Sequence, residues 1–520
     1  MFTSLTPGLS SLLQPEAYPH PVSAVQLVET HASWIFLTGS FAYKIKRPVH
    51  YPFLDLRSRE RRAFFCAEEL RLNHRFAPEL YRDVCAVTLE DGLARISGRG
   101  ELIDHAVRMR QFRAEDELDR LLATEAATPA ELERFGRELA SLHERLPRPG
   151  TEEPWGQPQR VRTLVLQNVA ECLRAAEPFG AADAIAGLAV ALGTRLEVAE
   201  PWMASRRRAG RIRECHGDLH ARNVVRLGDR LLAFDCIEFE PAFRWIDVAA
   251  DIAFLLMDLD ARGFREHGQA FLNGYFGQGG DYEACRLLRL YAADRALVRA
   301  KVSALHAADA AQSDNDTVAR AEFRRYAECA QRMLTPAHPL LILTCGVSGS
   351  GKTWLAERLA APLHAVHVRS DLERRRMADP AGWEAANGAL EQGVYSRQAS
   401  RHVYQRLRQC AAHVLAGGYP VIVDATFQRR EDRARLRALA TECGAAMRVV
   451  FCHAPRTVLR QRIAARRQSG ADASEADLAV LEWQETHFEP IGAEEDLAVV
   501  DADTTAADVV PRVLQQLTTG

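Results

Sequence analysis

The sequence predicts an α+β domain followed by an α/β domain with a parallel sheet, within 520 residues. Three stretches carry that expectation. Residues 25–49 alternate apolar and polar side chains in three short runs separated by tight turns, as an antiparallel meander does. Residues 215–238, CHGDLHARNVVRLGDRLLAFDCIE, lay out a polar loop and two apolar strands about a Gly228–Asp229 turn, the second ending in Asp235. Residues 340–358 pass from the apolar run LLILTC through GVSGSGKT into WLAER: strand, glycine turn, helix.

Composition narrows the classes. At 47% hydrophobic the chain can bury several cores, and about 150 residues per domain gives about three lobes. A net charge of −3 disfavours a partner held by electrostatics alone, such as a nucleic-acid backbone or a membrane surface. The eleven cysteines are scattered, with no C-x-x-C pair, and read as reduced thiols of a cytoplasmic protein. The first twenty residues lack a basic region ahead of an apolar core, and no run approaches the roughly 18 apolar residues of a membrane span, so neither signal peptide nor span is expected.

The polar loop carries the chemistry. Phosphoryl transfer asks little covalent work of a protein: one carboxylate accepts the acceptor hydroxyl's proton, while an amide and a second carboxylate hold Mg²⁺ on the phosphates. Asp218 is the candidate for the first role, and Asn223 and Asp235 for the metal pair. The spacing matches the pattern H-x-D-x-x-x-x-N…D of kinase catalytic loops. With Gly217 before the aspartate and His220 after it, HGDLHARN resembles the aminoglycoside phosphotransferase branch of the two-lobed protein-kinase-like fold.

That resemblance gives the elements expected places. Runs 25–30, 34–39 and 41–49 become small-lobe strands, with the Thr30–Ser33 turn over the ATP phosphates. Lys44 is the candidate for the lysine on the α and β phosphates, with Lys46 on the same face as the fallback. Residues 57–76 form the helix whose glutamate pairs with that lysine, Glu68 and Glu69 being the choices. A strand at 81–89 and another at 105–112 follow, the backbone of 110–112 facing adenine. Helical periodicity covers 115–146, and after a Pro/Gly loop helices run to 204. The basic run 206–213 reads as a solvated loop, and Asp247 and Asp251 as structural acids on one helical face. In this family the helical lobe forms the acceptor pocket; Glu115, Asp116, Asp258 and Asp260 are the acids available to a polycationic acceptor. Helices over 282–333 close the lobe, and 335–339 breaks the pattern. The expected domains are therefore 1–335, with a small lobe over about 20–112 and a large lobe over about 113–335, and 336–520.

Past the break, GVSGSGKT has the context a phosphate-binding P-loop needs. Gly346, Val347, Ser348, Gly349, Ser350 and Gly351 turn their N–H groups inward, Lys352 reaches the β and γ oxygens, and Thr353 offers a hydroxyl to Mg²⁺. Strands at 365–371, 419–426, 447–452 and 497–500 alternate with helices, giving a doubly wound parallel sheet. The layout resembles P-loop kinases of the polynucleotide kinase, gluconate kinase and zeta-toxin type. By that resemblance Asp371 at a strand end is the general base, Arg374 an acceptor or phosphate clamp, and Asp424 the carboxylate beside Mg²⁺. Arg462 and Arg466, on a helix over 455–467, are the lid candidates.

Together these readings imply an enzyme with two ATP·Mg²⁺ sites, each phosphorylating a hydroxyl of a small-molecule acceptor. Two alternatives stand beside it: one domain is an ATP-sensing module regulating the other, or the C-terminal domain is a polynucleotide 5′-hydroxyl kinase. The near balance of charge in that half weighs against the latter.

Overall fold

A computed structural model of the chain describes residues 5, 8–51, 54–309, 315–335, 339–377, 397–469 and 478–518; the side chains of 306–309, 315–316, 397–398 and 466–469 fall outside that description. The chain divides into two compact units, one of Met1–Glu131, Leu142–Val161 and Ala204–Leu255, the other of Leu132–Ser141, Arg162–Met203 and Leu256–Gly520. No helix among the described residues is long and apolar enough to cross a membrane, and all eleven cysteines are free thiols.

The first unit is built on a six-stranded antiparallel sheet, ordered Gln26–Glu29, Ser33–Leu37, Phe41–Lys46, Glu101–Arg110, Tyr81–Glu90, Leu93–Ile96. The meander forms because every second side chain is apolar: Trp34, Phe36, Tyr43 and Ile45 bury on one face. Ala42, Val107 and Met109 bury on the other, against Cys66 of the Arg59–Phe76 helix. Lys44 and Lys46 share that second face, aimed at the same helix. Ser58 caps the helix, its side chain accepting from the Arg61 N–H at 3.3 Å.

Three expectations here need correcting. The helix predicted over 115–146 is broken into Leu118–Ala123 and Pro129–Arg145, because Thr128 and Glu131 form a capping box and Pro129 starts a new helix. The basic run is no solvated loop: the Ala182–Arg208 helix runs into it, and fully buried Arg206 makes a two-pronged pair with Asp247 at 2.7 and 2.8 Å. Asp247 does not share a helical face with Asp251. It ends the Trp245–Asp247 strand, which pairs with Ile212–Glu214, and Asp251 lies in the first turn of the Val248–Ala261 helix.

The second unit holds a five-stranded, all-parallel sheet ordered Val366–Arg369, Val421–Asp424, Leu340–Cys345, Ala446–His453, Val499–Asp503. Its inner strands are continuous apolar runs because both faces are covered; Ile342, Ile422 and Val450 pack with Leu355, Leu359 and Val513 of flanking helices. Asp371, expected to end a strand, lies in the first turn of the Ser370–Met377 helix. The Arg265–Gly279 helix meets the Leu132–Ser141 portion of its neighbour backbone to backbone. A Cβ on Gly136 would lie 2.2 Å from the Phe271 carbonyl oxygen, and one on Gly274 2.0 Å from that of Glu133.

Gly187, in the Ala182–Arg208 helix, has nothing within 4 Å of its added Cβ. Gly136→Ala is therefore expected to lower unfolding free energy by about 1–3 kcal/mol through overpacking. Gly187→Ala should raise it by about 0.5–1 kcal/mol through reduced backbone entropy. Urea denaturation of the two variants checks this; equal shifts would contradict the close helix crossing.

Candidate active sites

In the first unit, the sheet, the Arg59–Phe76 helix and the Val224–Leu227/Arg230–Ala233 hairpin converge on one group of charges. Lys44 Nζ donates to Asp235 Oδ1 at 2.6 Å and sits 2.8 Å from Glu69 Oε1. Lys46 Nζ bonds the other Glu69 oxygen and Glu238. Both lysines thus meet one glutamate. Glu68 turns away to Arg71 at 2.8 Å, since consecutive helical residues point about 100° apart. Glu69 is fully buried. Burial alone would raise its carboxyl, but the ammonium groups of Lys44 and Lys46 hold it well below the ordinary carboxylate range.

The catalytic-loop candidates lie at the ends of the hairpin. Asn223 Nδ2 donates to both the carbonyl and Oδ2 of Asp218, each at 2.9 Å, and His220 Nε2 is 3.3 Å from the same oxygen. The Phe234 N–H donates to the Asn223 carbonyl at 2.9 Å, which brings Asp235 beside Asn223. Asp235 adopts φ +64°, a left-handed conformation rare for a residue with a side chain. It is held there by neighbours: its N–H donates to Tyr81 Oη at 3.2 Å, and the Cys236 N–H to Asn73 Oδ1 at 2.9 Å.

Beneath the loop, buried Asp251 accepts from the His216 N–H at 3.2 Å and the Gly217 N–H at 2.8 Å, with His143 Nε2 3.2 Å away. Desolvation pushes its carboxyl up, but the His143 contact, then His216 and the Gly217 amide, bring it below the usual range. Gly217 has φ +87°, and a Cβ there would lie 2.7 Å from the Phe243 carbonyl oxygen. His143, Cys215 and Asp251 are close enough to share an ion. The carboxylate already accepts from two amides and Cys215 Sγ donates to the Ile246 carbonyl, so Asp251 with His143 acts as a prop for the loop.

Other expectations fare differently. The Thr30–Ser33 turn spends its groups on itself: Thr30 N–H and Oγ1–H donate to the Ser33 carbonyl, and the Ser33 N–H donates to Thr30 Oγ1. The N–H groups of Arg110 and Gln111 go to Leu80 and Ser40 carbonyls, so they do not face adenine. Asp258 is buried between Arg262 and Tyr326, Asp260 pairs with Arg265, and Asp116 with Arg113. Three of the four acids considered for a cationic acceptor are thus already paired.

In the second unit, the loop after Leu340–Cys345 wraps as a cradle. Gly346, Gly349 and Gly351 have φ of +139°, +79° and +85°, and a Cβ on Gly346 would lie 2.2 Å from the Cys452 carbonyl oxygen. Lys352 Nζ donates to the Val347 carbonyl at 2.8 Å, the Ser350 N–H donates to the same oxygen at 3.2 Å, and the buried Ser350 Oγ has no partner among the described residues. Burial lowers the Lys352 ammonium, with Asp424 and Asp371 opposing. Thr353 Oγ1 donates to Asp424 Oδ2 at 2.7 Å and Thr344 Oγ1 to Asp424 Oδ1 at 2.9 Å. Burial, then the Asp424 charge, pushes Asp371 up, while Arg374 and Lys352 pull the other way. Arg462 donates to the Gly349 carbonyl at 3.3 Å and to Thr504 Oγ1 at 2.8 Å, clamping the loop from outside. The Arg466 side chain lies outside the described residues.

Glycine cradle, inward lysine, unpartnered hydroxyl and threonine–aspartate pair fit a nucleotide with its Mg²⁺; so do Lys44, Asn223 and Asp235 in the first unit. Sequence reasoning missed several contributors: Asn73, Tyr81, His143, Glu238, Thr344, His367, and Gln484, whose Oε1 accepts from the Ser348 N–H at 2.7 Å. Asn73 alone left a signal, as a polar residue on the apolar face of its helix.

Because Glu69 is depressed in the fold, its stabilising effect is complete above the ordinary glutamate value of about 4.3 and fades as pH falls below it. Glu69→Gln should destabilise the chain by roughly 1.5–3 kcal/mol at pH 7, because it removes the carboxylate that two buried ammonium groups share and leaves Lys44 with Asp235 and Lys46 with Glu238. The gap to wild type should narrow from pH 5 to pH 3. Guanidinium melts across that range check it, and a constant gap would contradict the pairing.

Residues 56–288 match the model of the Phosphotransferase enzyme family, and residues 341–491 that of an AAA domain. An uncharacterized protein of Mycobacterium tuberculosis is 30% identical over 476 residues, covering 90% of this chain and 93% of its own. A choline/ethanolamine kinase family protein of Mesorhizobium loti is 14% identical, with a TM-score of 0.36 over 61% of this chain and 92% of its own. A gluconokinase of Sinorhizobium meliloti is 21% identical, with a TM-score of 0.27 over 35% of this chain and 93% of its own. The chain belongs to one family with the mycobacterial protein, and its two matched segments make it a tandem of a phosphotransferase-family domain and an AAA-type domain that carries the glycine loop 346–351.

Proposed function

We propose that the chain is an ATP-dependent phosphotransferase with two nucleotide sites, one in residues 1–335 and one in 336–520, each passing a γ phosphate to a hydroxyl of a small-molecule acceptor. The observation that carries this reading is that each unit has a complete set of its own: Lys44 with Asp235, Asn223 and Asp218 in one, and Lys352 with Thr353, Asp424 and Asp371 in the other.

In the first site, Lys44, steadied by Glu69, binds the α and β phosphates, and Asn223 and Asp235 offer oxygens to the metal. Asp218, oriented by the Asn223 amide, accepts the proton of the attacking hydroxyl. In the second, the loop 346–351 and Lys352 hold the triphosphate, and Thr353 and Asp424 form the metal side. Asp371, raised by burial, is the proton acceptor, with Arg374 beside it, and Arg462 steadies the phosphate loop through the Gly349 carbonyl. Magnesium, when bound, neutralises phosphate oxygens as charge builds on the leaving group.

In full-length protein, Asp218→Asn should cut first-site transfer by about 10²–10⁴-fold, the usual worth of a general base. Lys352→Ala should silence the second site alone. Each single variant is expected to lose part of the ATP turnover measured with a metabolite extract, and the double variant nearly all. Unchanged turnover in either single variant removes that site from the reaction.

A further inference from the structure

The parallel sheet of the second unit ends at the Val366–Arg369 strand, whose outer edge would otherwise present unpaired backbone groups. The Arg265–Gly279 helix, from outside residues 336–520, covers that edge with amide side chains. Asn273 Oδ1 accepts from the His367 N–H at 3.0 Å, Asn273 Nδ2 donates to the Ala365 carbonyl at 3.2 Å, and Gln269 Nε2 donates to the same carbonyl at 2.9 Å. Two amides thereby stand in for a missing strand.

The His367 side chain continues the line inward. Its Nε2 lies 3.4 Å from Asp424 Oδ2, the oxygen that accepts from Thr353 Oγ1, while Thr344 takes Asp424 Oδ1. His367 is 8% exposed and Asp424 4%. Thr344 fixes one carboxylate oxygen, and His367 meets the other together with Thr353. Asn273, His367, Asp424 and Thr353 form one unbroken series of contacts from a helix of the preceding segment to the loop residue next to Lys352.

We propose that His367 and Asn273 are positioning residues for the P-loop site: Asn273 fixes the His367 backbone, and the His367 imidazole holds Asp424 in the rotamer that meets Thr353. The metal side of the P-loop site then depends on a residue contributed by the 1–335 segment. This rests on the reading of Thr353 and Asp424 as the metal side of a nucleotide site. An edge cap with no further role would alter stability alone; a positioning role alters how much Mg²⁺ strengthens nucleotide binding. Outer-layer partners of metal ligands are typically worth 10–100-fold in metal affinity.

The test is equilibrium binding of a fluorescent ADP analogue to full-length protein, with Mg²⁺ and with EDTA, the P-loop component being the binding lost in Lys352→Ala. His367→Ala should weaken that component about 10-fold or more in Mg²⁺ and by less than about twofold in EDTA. His367→Gln, whose amide can still donate to Asp424, should recover most of the loss, and Asn273→Ala should show a smaller loss of the same Mg²⁺-dependent kind. Wild-type affinity in His367→Ala, or an equal loss with and without Mg²⁺, overturns the positioning role and leaves the nucleotide site standing. If Lys352→Ala removes no component, the nucleotide site itself fails and the positioning role with it. Melting curves of each variant exclude global unfolding as the cause.

Discussion

Each candidate site hangs on a carboxylate that has been taken out of water. Asp251 in the first unit and Asp424 in the second are nearly fully buried, and a buried charge is tolerated only when its oxygens are answered by donors of good geometry. Asp251 is answered by two successive backbone N–H groups and a histidine, Asp424 by two threonines and a histidine. In both cases some of the donors belong to the segment that must be shaped: the His216 and Gly217 amides to the turn carrying Asp218, and Thr353 to the helix start carrying Lys352. The shape of the loop is thus the condition under which the charge can be buried at all.

The lysines follow a related logic. Lys44 is held by Glu69 and Asp235, and Lys352 by a carbonyl of its own loop; in the proposed reaction a phosphate oxygen would take the place of one such acceptor at each lysine. Lys46 differs. It is buried between Glu69 and Glu238, tying strand, helix and the segment after Asp235 into one frame. With Lys46 on its other oxygen, Glu69 is kept turned toward Lys44.

Much of this was legible in the residues. Polar loops with fixed spacing, HGDLHARN and GVSGSGKT, declare themselves because their chemistry is local, and strand alternation placed the meander around Lys44. What stayed hidden depended on long-range partners. Period-two alternation puts Lys44 and Lys46 on one face and cannot say which meets Asp235. Neighbouring Glu68 and Glu69 differ only in which way the helix is turned toward the sheet. Arg206 read as solvated because nothing local announces Asp247, 41 residues away, as its partner. Asp247 looked helical because its spacing to Asp251 fits a helix, whereas pairing with Ile212–Glu214 draws it into a strand. His367 sits in an ordinary apolar strand pattern, and its partners come from residues about 57 and 94 positions away.

If one polypeptide carries two separate nucleotide cradles, isothermal titration of the full-length chain with a non-hydrolysable ATP analogue and Mg²⁺ gives two nucleotides bound per chain, falling to one when Lys352 is replaced by alanine. A stoichiometry of one in the unaltered chain, or none, rules the two cradles out.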